Sequence, residues 1–128
     1  MLEDFLHVSI TCRDLERRVR FYETLGLKVI KRVGEVNENG IAQAFRLPAG
    51  RLAVAYLAPS NATSRMFIDL VQWLEPSSSG EPYPVLNHVG LNRMAFRVSD
   101  IDGTTAALRD HGIEFLTREP HVFGEGIR

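Results

Sequence analysis

Two stretches of the chain, 5–27 and 91–113, carry one pattern in the same register. In the first, Leu6, Val8, Ile10 and Cys12 alternate with Phe5, His7, Ser9 and Thr11. That period of two gives a strand one apolar face and one mostly polar face. Asp14 follows as a candidate N-cap, because its carboxylate can accept from the first free helical N–H groups. Leu15, Val19, Tyr22 and Leu25 then recur at helical spacing, with Arg17, Arg18 and Arg20 turned mostly outward. Gly26 stands where a left-handed residue ends a helix. Laid on the second stretch without gaps, His7 falls on Arg93, Val8 on Met94, Ile10 on Phe96 and Cys12 on Val98. Asp14 falls on Asp100, Leu15 on Ile101, Gly26 on Gly112, Leu27 on Ile113 and Val29 on Phe115. Few identities recur. The strand pattern, the cap, the helix length and the glycine stop all do, which points to a duplicated strand-helix-strand unit.

The first unit, residues 5–74, is expected to continue past its helix with three more strands. These are 27–33, 51–58 and 65–74, with a polar turn at 35–40 and a short helix at 41–47 that ends before Pro48. Residues 75–90 are rich in Pro, Ser and Gly and read as a linker. The second unit, 91–128, is predicted to hold a strand at 91–98, a helix at 100–110 and a strand at 113–118. By comparison with the first it stops two strands short. The fold class is α+β, and 128 residues fit a single domain made of the two units.

The composition narrows the partners. A formal net charge of −1 and no basic cluster argue against nucleic acid. No apolar run approaches the roughly 20 residues that cross a bilayer, and the acidic Met1-Leu-Glu-Asp start is unlike a signal peptide. The single cysteine, Cys12, excludes an intrachain disulfide and fits a reducing cytosol. A cytoplasmic protein with a small-molecule ligand is expected.

The residues Leu6-His7-Val8-Ser9-Ile10, Asp14-Leu15-Glu16-Arg17 with Phe21-Tyr22, Leu25-Gly26-Leu27, Phe67-Ile68-Asp69-Leu70-Val71 and Met94-Ala95-Phe96-Arg97-Val98-Ser99-Asp100 resemble the vicinal oxygen chelate superfamily. That group includes glyoxalase I, bleomycin-resistance proteins, extradiol dioxygenases and methylmalonyl-CoA epimerase. The resemblance covers nearly the whole chain. It implies paired βαβββ units forming a curved mixed sheet around a cleft, here with the second unit incomplete. Unpaired sheet edges would follow, and a homodimer is expected.

The resemblance also implies a divalent metal that acts as a Lewis acid on vicinal oxygens of the substrate. Its four ligands come from the first and last strands of each unit. By position, His7 and Asp69 are the candidate metal ligands, Asp69 standing where the family usually has Glu or sometimes Gln. The third position is Arg93, whose guanidinium stays protonated and cannot normally ligate. The fourth would lie past residue 128. A divalent Ni, Zn, Fe or Mn ion and a metal-free site both remain open.

His7, Phe67, Trp73, Arg93 and Arg97 are the candidate substrate-binding residues. Arg93 and Arg97 fall on one predicted strand face, either an anion site or a solvated surface. Phe67 and Trp73, with Tyr56, line a pocket or form plain core. Asp69 among apolar groups needs a partner: a neighbour such as Arg65, or Arg93 across the cleft. His88 reads as loop, His121 as part of the irregular end, and His111 as complementing a helix dipole. No catalytic residue is identified. The expected function is small-molecule binding in the cleft with an altered or absent metal site. A metal-dependent lyase, isomerase or extradiol dioxygenase is one alternative, and a non-catalytic structural or regulatory domain is the other.

Overall fold

The structure, a computed structural model, describes residues 4–37, 39–60, 66–91 and 93–120. Strand β1 (His7–Thr11) leads into helix α1 (Leu15–Thr24), then strand β2 (Leu27–Asn37), short helix α2 (Asn39–Phe45), and strands β3 (Arg51–Pro59) and β4 (Phe67–Glu75). Helix α3 (Ile101–Asp110) follows much later. The chain divides into two compact units, Met1–Gly80 and Glu81–Arg128.

In the first unit the strands form one mixed sheet in the order β1-β4-β3-β2. β1 and β4 are parallel, and the other two neighbouring pairs are antiparallel. Helix α1 carries the chain from one edge strand to the other. It forms because Asp14 caps it, its side chain accepting from the Arg17 N–H at 2.9 Å. Gly26, at φ 91°, turns the chain out of it. Its buried stripe is Leu15, Val19 and Tyr22, three of the four positions that the spacing marks as apolar. The stripe covers a sheet face whose centre is fully buried: Ala55, Leu57 and Leu70 are 0% exposed. Burying a side chain the size of Leu57 or Leu70 is worth roughly 1.5–3 kcal/mol. Gln72 lies on this face and its Oε1 accepts the Leu15 N–H at 2.9 Å, tying β4 to the start of α1.

Two features depart from simple alternation. β2 runs on to Asn37, through part of the expected turn at 35–40, because Val36 and Asn37 still pair with Leu52 and Arg51. The β2–β3 register also slips between Val29 and Lys31, leaving Ile30 exposed. Such a bulge flips the faces of the residues beyond it. Lys31 therefore lies opposite Tyr56, and Arg32 opposite Ala55 on the helix side, where it meets Glu16 of α1 at 2.5 Å.

The second unit corrects the sequence reading. Its helix forms as expected, capped by the Asp100 side chain on the Gly103 N–H at 3.0 Å and released at Gly112, φ 75°. A ring nitrogen of His111 lies 2.8 Å from the Ala107 carbonyl, in keeping with its expected place at the helix end. The strands expected at 91–98 and 113–118 do not form among the described residues. The reason lies in the strand order. In the first unit β1 bonds to β4 and β2 to β3, never to each other. Copies of β1 and β2 would each need an inner strand to pair with, and the described residues of the second unit hold none. Arg93 and Arg97 thus share no strand face; both are exposed on irregular chain. His121 lies outside the described residues.

Candidate functional site

The sheet face turned away from α1 carries most of the side chains singled out from the sequence. The parallel β1–β4 ladder sets His7 opposite Phe67, and Ser9 opposite Asp69. The β3–β4 ladder sets Tyr56 beside Asp69 and Leu52 beside Trp73. His7, Phe67, Asp69 and Trp73, all singled out from the sequence, therefore share one face. The rings are in contact: His7 and Phe67 at 5.2 Å between centroids, Tyr56 and Phe67 at 4.8 Å. Trp73, further along β4, is met edge-on by Phe45 at 5.6 Å, and its backbone N–H donates to the Ser78 hydroxyl at 3.0 Å.

Asp69 is the centre of this face. The Ser9 hydroxyl donates to its Oδ2 at 2.8 Å. The Nε2 of His7 stands 3.9 Å from the same oxygen, too far for a hydrogen bond but close enough for charge attraction when the ring is protonated. The other oxygen, Oδ1, is buried and has no hydrogen-bond partner among the described residues. The side chain is 15% exposed and that of His7 37%. Arg65, one expected partner, lies outside the described residues. Within the first unit, Ser9 and His7 take that place.

Ser9 and Lys31 also belong to this face, and the sequence did not mark them as site residues. Ser9 stood on the polar face of β1 with nothing to show what lay opposite it. The parallel pairing of β1 with β4, had it been assumed, would have found it. Lys31 places its ammonium 5.7 Å from the centroid of the Tyr56 ring, and only the bulge at Ile30 brings it to this face. Gln72 is excluded as a site residue, since it faces α1 and is bonded there.

The sequence profile of the glyoxalase/bleomycin resistance protein/dioxygenase superfamily matches residues 6–128. The chain belongs to this superfamily. A solved glyoxalase family protein from Bacillus cereus superposes with a TM-score of 0.84 at 25% identity, over 98% of this chain and 81% of that one. Among curated proteins none matches. The βαβββ order of the first unit is thus the superfamily's, and the α+β class with a mixed sheet is as expected.

Superfamily membership raises the question of a metal. His7 and Asp69 are adjacent and offer one imidazole and one carboxylate. Catalytic divalent sites usually draw three protein ligands. Among the described residues no group of three or more His, Cys, Asp or Glu side chains is placed to hold a metal ion. The described residues therefore fall short of the superfamily's metal-binding set. No helix among them is long and apolar enough to cross a membrane.

Proposed function

We propose that this superfamily member binds a small organic molecule on the first-unit sheet face that carries His7, Phe67, Tyr56, Asp69 and Trp73. One observation carries the reading: Asp69 keeps a buried oxygen, unpartnered among the described residues, beside a run of touching rings. A buried acceptor without a donor costs about 1–3 kcal/mol. A ligand whose donor meets that oxygen as the carboxylate turns recovers that cost, and the ring faces supply apolar contact area.

Trp73 makes the test direct, because it is the only tryptophan in the chain. A panel of small aromatic compounds is titrated against its fluorescence, with thermal melting in parallel, since a ligand selective for the folded state raises the midpoint. The expected result is a saturable change for at least one compound that Asp69→Leu abolishes. A panel without effect on either signal would sink the reading. Metal analysis of the purified protein decides the alternative of a metal-dependent lyase, isomerase or dioxygenase. Stoichiometric Ni, Zn, Fe or Mn that is lost in His7→Ala would establish that alternative and displace the metal-free binder.

A further inference from the structure

Resting on that reading, we infer that the ligand is an organic cation: an ammonium group carried on a flat apolar body, seated with its charge on Asp69 and its body on the rings of Phe67 and Tyr56. Two features of the face agree on the sign of the charge. Asp69, the carboxylate beside the rings, has a hydroxyl donor on one oxygen and, among the described residues, none on the other. An ammonium offers three donors and a full positive charge to that group. An anion would meet the carboxylate with repulsion in a half-buried setting where screening is weak.

The rings point the same way. Their π faces carry negative charge density and attract cations within about 6 Å. His7, Phe67 and Tyr56 form a continuous aromatic strip beside Asp69. Lys31 shows that the strip holds such a charge, because its ammonium already rests over Tyr56. Lys31 does not pair with Asp69 itself, so it acts as a tethered competitor at the edge of the site. A bound ammonium would feel it as a like charge, while a bound anion would feel it as a partner. The sign of the effect of removing Lys31 therefore reports the sign of the ligand.

The test uses three probes of nearly one shape: benzylamine, a cation at neutral pH; benzyl alcohol, neutral; and benzoate, an anion. Each is titrated into the whole chain while the backbone amide resonances of His7, Ser9 and Asp69 are followed. Benzylamine is expected to bind most tightly. Asp69→Asn, close to isosteric, should weaken it about tenfold or more, with an otherwise unchanged amide spectrum showing that the sheet is intact. Lys31→Gln, an exposed substitution that leaves the fold alone, should strengthen benzylamine about twofold. Equal binding of all three probes, or preference for benzoate with weakening by Lys31→Gln, would overturn the inference while leaving small-molecule binding in place. Absence of any shift with benzylamine would overturn it too, and the broader panel would then decide the parent reading alone.

Discussion

Ser9 on β1 and Asp69 on β4 stand directly opposite each other in the parallel ladder, joined by a 2.8 Å hydrogen bond from hydroxyl to carboxylate. The bond ties β1 to β4 beside the His7–Asp69 contact at 3.9 Å, and among the described residues it leaves the second oxygen of Asp69 without a donor. The residue that holds the site together is thus also its least satisfied group.

Removing that tie has a predictable sign. Ser9→Ala takes away the hydrogen-bond donor that Asp69 has among the described residues and leaves a largely buried carboxylate bare, which should cost about 1–3 kcal/mol. Combining it with Asp69→Leu removes both polar partners, and the double variant should be more stable than Ser9→Ala alone. Urea denaturation midpoints at constant m-value measure both. Additive losses in the double variant would show that the carboxylate is satisfied by some other group.

Alkaline pH should destabilise the fold through two groups on the helix side. Burial pushes the pKa of the Cys12 thiol up, against a lowering contribution from nearby Arg18. Burial raises the Tyr22 phenol in the same way. Both groups hold their protons longer when folded than when unfolded. Above about pH 8.5 for the thiol and about pH 10 for the phenol, the unfolded chain binds fewer protons, so stability falls as pH rises. The stabilisation is complete below those values. Urea midpoints from neutral pH upward should decline through this window, and Cys12→Ala should remove the earlier part of the decline.

How far the fold could be read in the chain depended on the range of each interaction. Asp14, Leu15, Val19, Tyr22 and Gly26 specify α1 through contacts within a few residues, and it forms where the spacing puts it. The same local logic holds for Asp100, Gly112 and α3. The residues of the candidate face were legible one strand at a time: His7 on β1, and Phe67, Asp69 and Trp73 on β4. That Ser9 would face Asp69 depended on a register between strands nearly sixty residues apart, which period-two alternation does not encode. Lys31 was hidden by a single inserted residue at Ile30. The strands at 91–98 and 113–118 had the right alternation and still did not form, because a strand needs a neighbour as well as a pattern.

Two turn positions give a matched pair of expectations. Gly26 ends α1 at φ 91°, where a Cβ meets no neighbour but is strained by the backbone itself. Gly26→Ala should cost about 1 kcal/mol. Arg46 ends α2 at φ 55°, with the Leu47 N–H reaching back to the Ala42 carbonyl at 2.9 Å. It holds the left-handed place usually given to glycine. Arg46→Gly relieves strain of about 1–2 kcal/mol and loses about 0.5–1 kcal/mol to the entropy of glycine. The net expectation is a small gain in stability, read from the same denaturation curves.

The two helices of the duplicated pattern should differ in how tightly they are held, despite their matching caps. α1 buries Leu15, Val19 and Tyr22 against three strands of its sheet. α3 buries Thr105 alone, and the flanking segments 93–98 and 113–118 belong to no ladder. Amides open with a free energy that follows their buried apolar contacts and hydrogen bonds. Hydrogen exchange should therefore be slowest in β3, β4 and α1, faster in α3, and close to unprotected in 93–98 and 113–118, with protection factors below about 10. Protection at 93–98 equal to that of β4 would mean that this segment pairs as a strand in solution. The β1-like alternation of Met94, Phe96 and Val98 would then have found the neighbour that the described residues do not provide.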